Sequence, residues 1–292
     1  MLKPNNFDYP KGPAMKKSIN DQLTEIYYFV DEAIKNYPQF ANWRESNNRT
    51  PRFSDAEVIT IALMQGYFGC ATLSQTYQLV KANAGQAFPH LCSYKQWMMR
   101  LHALNPLIGM LVQVSSARPS EEARLFLMDS KPIPVCHPLR HGRVRLMRED
   151  GAWFGKTSKG WFFGFKLHAI VNHQGLVVGV LLTPANTDDR DVAPALAWAT
   201  DGGLCLADWG YRSKDLQDLL IKEADLLLIT TADGGDKRAL ISSLRERVET
   251  TFSQLWDRFV DRVFSCSWNG LWNTIKLKIL HLNLCLYNII EA

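Results

Sequence analysis

The chain has 292 residues, 47% of them hydrophobic and 21% charged, with 33 basic against 29 acidic residues for a net charge of +4. Those proportions are those of a folded globular chain, and they exclude a disordered, collagen-like or low-complexity polymer. No apolar run approaches the roughly 18 uncharged residues of a membrane-spanning helix, and the N-terminal MLKPNNFDYPKGPAMKK has no apolar core behind its lysines, so it does not read as a secretory signal.

In chain order, helical periodicity comes first. Leu23, Ile26, Tyr27 and Val30 form a stripe that predicts a helix from about Ile19 to Asn36. Ser54-Asp55-Ala56-Glu57 is a capping box opening a second helix, and shorter helical segments are expected at 74–82 and 93–104. Short helices joined by turns can make a helix-turn-helix module, which would bring Lys95 and Arg100 near DNA; a purely structural helical scaffold fits the same pattern. The division is expected near residue 120, with a helical domain over 1–120 and an α/β domain over 121–292.

From Arg124 the pattern changes. Leu125–Met128 is a short apolar run ending at Asp129. A basic, proline-containing stretch follows, expected to be a loop or a long hairpin. Residues 131–168 hold eight Lys or Arg against Glu149 and Asp150, a local +6 (8 − 2), whereas residues 169–292 carry 12 basic and 16 acidic residues, a local −4. A basic stretch beside an acidic body suits phosphates, though a solvated loop would look alike. Trp161–Val171 and Leu176–Leu182 read as two strands joined by the Asn172–Gly175 turn, with Gly164 permitting a bulge. Then come a helix near 190–200, the apolar run Leu204–Ala207 ending at Asp208, a helix near 213–223, a strand at Leu226–Thr230, and helices near 238–259 and 269–290. The predicted architecture is a mixed α/β core behind a helical N-terminal part.

The six cysteines, at 70, 92, 136, 205, 266 and 285, include no Cys-x-x-Cys pair and several sit in apolar runs. They read as buried thiols of a reducing compartment. His137 with His141, and His281 with Cys285, have ligand-pair spacing but no second pair nearby.

The carboxylates are more informative. Asp129 and Asp208 each end an apolar strand, the position where α/β sheets place their chemistry. A charge there is costly to desolvate unless a cation offsets it; capping a turn is the alternative role. On the long helix, Val248, Phe252, Leu255 and Phe259 share a face. With Val248 at 0°, Arg245 lies at about 60°, Glu249 at about 100° and Glu246 at about 160°. Glu249 is therefore the acid on the shoulder of the buried face, unless it serves only as a surface partner of Arg245. Three such acids can hold two divalent cations for phosphoryl transfer, where bound hydroxide attacks without a side-chain nucleophile.

These blocks resemble the DDE transposases, and the IS982 family of insertion-sequence transposases among them. The resemblance runs over essentially the whole chain: LFLMDSKPIPVC with Asp129, GWFFGFKLHAIVNHQG with Gly164, Phe165, Lys166 and His168, TPANTDDRD with Asn186 and Asp189, ADWGY with Asp208, and RERVETTFSQL with Arg245 and Glu249. Ser242 and Trp256 depart from some relatives, which carry Tyr and Lys there. The resemblance implies an RNase H-like core and two Mg²⁺ ions (with Mn²⁺ as substitute) held by Asp129, Asp208 and Glu249. It implies phosphate contacts from Lys166 and Arg245, and double-stranded DNA as partner at terminal inverted repeats and target. It also implies 3′-OH strand transfer, a homodimer in the DNA complex, and a bacterial, cytoplasmic, nucleoid-associated location. A nuclease of the same fold that cuts without joining, and a DNA-binding regulator descended from such an enzyme, are the alternatives.

Overall fold

The computed structural model describes residues 17–37, 40, 51–120, 124–143, 146–230, 246, 249–255 and 265–287. Five helices come first: α1 (Ile19–Asn36), α2 (Asp55–Tyr67), α3 (Leu73–Ala84), α4 (Tyr94–Ala103) and α5 (Asn105–Ser120). The starts of α1 to α4 are written in local chemistry. Ser18, Ser54, Thr72 and Ser93 each accept a first-turn backbone N–H, and Ser54 and Ser93 complete capping boxes with Glu57 and Gln96. α2 is buried on nearly every side, from Val58 through Met64, so it is the hub of this layer. α5 carries Pro106 in its first turn, where the missing N–H is tolerated.

The sheet has six strands: β1 (Leu125–Cys136), β2 (Trp153–Thr157), β3 (Gly160–Asn172), β4 (Val177–Pro184), β5 (Gly203–Ala207) and β6 (Leu226–Thr230). Its order is β2-β3-β1-β5-β6, with β4 also on β3. β1, β3 and β4 pair antiparallel, whereas β5 runs parallel to β1 and β6 parallel to β5. An antiparallel trio extended by two parallel strands is the RNase H-like arrangement. β2 and β4 lie end to end on one flank of β3, opposite residues 160–164 and 165–171 respectively.

The stretch expected as a loop or long hairpin turns out to be both strand and hairpin. β1 runs on past Asp129 through Pro132 and Pro134, beyond the end of β5, where an open flank tolerates residues lacking an N–H. β2 and β3 form the hairpin. The irregularity expected around Gly164 is on the partner strand, between Pro134 and Cys136. A Cβ on Gly164 would meet the Ile133 carbonyl oxygen at 2.2 Å, so β1 approaches too closely for any side chain there.

Helices cover both faces. Alternate strand residues Phe126, Met128, Ile170, Cys205 and Ala207 pack on α6 (Asp189–Ala197) and α7 (Lys214–Ala224). Leu127, Ile133, Phe165, Leu167, Ala169 and Leu206 face the other way and share one core with α1 to α5. The last helix, α8 (Trp268–Leu286), runs through that core, buried along almost its whole length. The Asn283 side chain binds both backbone groups of Val177 on β4, at 3.1 and 3.0 Å, and Ser115 of α5 at 3.0 Å. Gly66 of α2 lets the His281 ring of α8 approach to where a Cβ would stand. No helix among the described residues is long and apolar enough to cross a membrane.

Candidate active site

Parallel pairing between β1 and β5 sets the geometry of the two aspartates. The register runs Leu125 with Leu204 through Met128 with Ala207. Asp129, the next residue of β1, and Asp208, the first residue past β5, follow that last pair where the two strands part. Strand alternation places them on the face of Leu127 and Leu206. Each carboxylate is oriented by an amide of its own chain: Asp129 Oδ1 accepts from Ser130 N–H at 2.8 Å, and Asp208 Oδ1 accepts from Gly210 N–H, capping the 3₁₀ turn 209–211. Capping a turn and ending a strand are thus not alternatives for Asp208; it does both.

Close to them, but packed with Phe126 and Met128 on the other sheet face, is Tyr211, 1% exposed, its hydroxyl buried without a hydrogen-bond partner. Burial first, then the charges of Asp189, Asp129, Cys205 and Asp208, hold its phenol well above its ordinary range. The aspartates thus stand beside a neutral, buried phenol, in surroundings that strengthen any charge interaction. Tyr211 was visible in the sequence only as part of the Asp-x-Gly-Tyr block.

Among the described residues, Lys131, two residues beyond Asp129 on the same strand face, forms an ion pair with it. Its Nζ lies 3.7 Å from Asp129 Oδ2 and 5.7 Å from the centre of the Phe252 ring. Phe252 and Leu255 are buried on this face, and Thr251 donates to the Gly175 carbonyl at 3.2 Å. The helical segment 249–255 is thereby docked beside β1, with Glu249 exposed one turn before Phe252. Among the described residues no three His, Cys, Asp or Glu side chains are close enough to hold one metal ion. The structure brings Asp129 and Asp208 together and leaves Glu249 at the margin, on the same side of the sheet. Arg245 and most of the long helix expected over 238–259 lie outside the described residues.

The remaining basic candidates are placed elsewhere. Lys166 pairs across the sheet with Pro132 and therefore points to the opposite face from Asp129. There its ammonium donates to Asp189 Oδ1 at 2.9 Å and to the Thr187 carbonyl at 2.9 Å. His168 shares that face, fully buried, with Nε2 2.8 Å from Thr183 Oγ1 and Nδ1 3.4 Å from Asp189. Desolvation, opposed by Asp189 and reinforced by Lys166, lowers its pKa to about 4, so it is neutral at pH 7. Arg100 ties α4 to the start of α2 through Asp55 Oδ1 at 2.8 Å and the Phe53 carbonyl. Lys95 is exposed on the first turn of α4.

Two carboxylates at neighbouring strand ends with a flanking cation make an oxygen-donor site suited to hard divalent ions. No curated relative matches the chain. Two solved structures share its broad extent: the Mos1 transposase paired-end complex with left transposon end, at 13% identity over 85% of this chain and 82% of that chain with a TM-score of 0.25, and the Mos1 mariner paired end complex with Mn, at 11% identity over 90% and 86% with a TM-score of 0.24. At such TM-scores the likeness carries no argument. The family model described as "Transposase DDE domain" matches residues 120–260, which contain the sheet, both strand-end aspartates and Glu249. Residues 120–260, just under half of the chain, are therefore similar to the DDE domain of transposases.

Proposed function

We propose that the chain cuts DNA at the ends of a mobile element and joins the freed 3′-OH to target DNA, using two divalent ions held by Asp129, Asp208 and Glu249. The observation that carries this reading is the parallel register of β1 and β5, which ends with Met128 opposite Ala207 immediately before Asp129 and Asp208. The donor set fits Mg²⁺ or Mn²⁺: both groups are carboxylates, each oriented by a backbone amide. Bound there, the ions would activate water and stabilise the attacking and leaving oxygens of an in-line displacement.

The chain's own residues do the positioning. Asp129 and Asp208 bring negative charge to the strand ends and hold it in one geometry. Lys131 balances Asp129 in the absence of metal and is placed to contact a phosphate at the same spot. Glu249 joins the pair through a shift of the segment docked by Phe252 and Leu255. Lys166, on the far face, orients Asp189 and Thr187 beneath the site, and is better suited to supporting the fold than to touching DNA.

The IS982 family, the terminal inverted repeats and a homodimer in the DNA complex belong to the same reading and rest on the sequence blocks. The test is a cleavage and joining assay on the inverted repeats flanking the coding sequence, with Mg²⁺ or Mn²⁺. Metal-dependent nicks bearing 3′-OH ends, followed by joined products, are expected. Nicks never followed by joining would make the protein a nuclease, and tight binding without either product would make it a regulator.

A further inference from the structure

The turn that follows Asp208 holds a large aromatic side chain in water. Trp209 is 66% exposed, although tryptophan is highly buried on average. Trp153, Trp161 and Trp198 are exposed as well, but among these four Trp209 alone adjoins a candidate metal ligand.

Local chemistry fixes the backbone that carries it. Asp208 Oδ1 accepts from the Gly210 N–H, the Tyr211 N–H donates to the Asp208 carbonyl at 3.2 Å, and the Arg212 N–H donates to the Trp209 carbonyl at 3.1 Å. A Cβ on Gly210 would stand 2.9 Å from Asp208 Oδ1, so the bare glycine lets the carboxylate close the turn. Tyr211, two residues past Trp209, is locked into the core with Met128 and Ala207. The indole is thus exposed on a backbone held from both sides. A ring with only two side-chain torsions, on such a backbone, loses little conformational freedom when a flat partner lies against it.

The charges nearby select the partner. Arg212, which closes the turn, is exposed, and Lys131 stands at Asp129 on the neighbouring strand. The turn 208–212 carries no acid besides Asp208. An indole face beside a guanidinium matches a nucleotide whose base is open, with the ring stacking on the base and the cation holding the backbone. Inside a duplex both faces of a base are covered by its neighbours, so the partner is a base at an end or in an unpaired segment. The Cα atoms of Asp208 and Trp209, being consecutive, are about 3.8 Å apart, close to the roughly 3.4 Å advance per base along a DNA strand. The ring therefore serves a nucleotide next to a phosphate held at the aspartates.

We propose that Trp209 stacks on an unpaired base flanking the reacting phosphate and thereby positions the DNA end at the carboxylate pair. This rests on the transposase reading above.

The test uses the full-length chain with the Trp209→Ala and Trp209→Phe variants and three labelled DNAs of one mixed sequence. One is a blunt duplex, the second carries a three-nucleotide unpaired 3′ end, and the third has abasic sugars in that end. Affinities are measured by anisotropy at fixed salt. The wild type should bind the unpaired end at least about fivefold more tightly than the blunt duplex, and lose that preference when the end is abasic. Trp209→Ala should bind all three alike, and Trp209→Phe should keep part of the preference. Because the side chain is exposed, Trp209→Ala should melt at the wild-type temperature and elute at the wild-type size. The proposal is overturned if the wild type shows no preference, if the preference survives in Trp209→Ala or with abasic sugars, or if it is lost together with a change in size, which would make Trp209 a contact between copies of the chain. Metal-dependent nicking of inverted-repeat DNA separates the two readings. Nicking by the wild type without a Trp209-dependent preference refutes the stacking alone, and a Trp209-dependent preference without nicking refutes the transposase reading alone.

Discussion

Asp129 and Asp208 carry the chemistry because of where two strands end, and their removal tests it at the scale of a single oxygen. Asp129→Asn and Asp208→Asn keep the shape and the amide contacts while removing the charge. Each should lower metal-dependent cleavage by more than about 100-fold and leave duplex affinity nearly unchanged, because affinity is set by phosphate contacts. Gel-resolved cleavage beside anisotropy on the same samples checks both halves, and cleavage near the wild-type rate in either variant would refute the metal assignment. His168 makes a separate prediction. Its folded pKa is lowered to about 4, against about 6.5 in an unfolded chain. Between those values the unfolded chain takes up a proton that the folded chain refuses. The stability conferred by neutral His168 is thus fully present above about pH 6.5 and is lost as pH falls toward 4, by as much as ~3 kcal/mol. His168→Gln, which keeps a donor near Thr183, should flatten the fall in melting temperature over that range. Lys166 shows where reading residues one at a time stops: its side chain was assigned to phosphate, but pairing opposite Pro132 turns it to the face that carries Asp189.

At the scale of elements, much was legible because the signals are local. α1 begins and ends as its stripe predicts, α2 starts at its capping box, and β6 matches its apolar run residue for residue. The misses share one cause. β1 beyond Asp129 contains two prolines, and β2 is a short polar hairpin arm, so neither shows a strand pattern until a neighbouring strand supplies hydrogen bonds. α5 has no counterpart among the expected helices, because Asn105-Pro106 reads as a break as readily as a beginning. Two changes probe how the elements are joined. Asn283→Leu leaves both backbone groups of Val177 and the Ser115 hydroxyl without their partner, and should cost about 2–4 kcal/mol, a fall of roughly 5–10 °C in Tm by calorimetry. Gly164→Ala drives a methyl group into the Ile133 carbonyl and should destabilise by more than about 1 kcal/mol, with circular dichroism melting as the check.

At the scale of the whole molecule, the helical layer and the sheet share one core. α8 comes from the far end of the chain yet packs among the helices of the first 120 residues, with Asn273 Nδ2 donating to Leu101 O at 3.0 Å. A fragment ending at residue 120 should therefore lack a cooperative melt, and gain one when α8 is restored; calorimetry of the two fragments decides this. The amino-acid sequence by itself determined where the helices start, which runs are strands, and that acids of one charge sign stand at strand ends, because caps, periodicity and apolar runs act within a few residues. Only the tertiary structure decided that β1 and β5 run parallel in one register, that Lys166 faces away from Asp129, and that Asn283 of α8 reaches both β4 and α5. Those facts depend on contacts between residues far apart in the chain, whose closure no local pattern encodes.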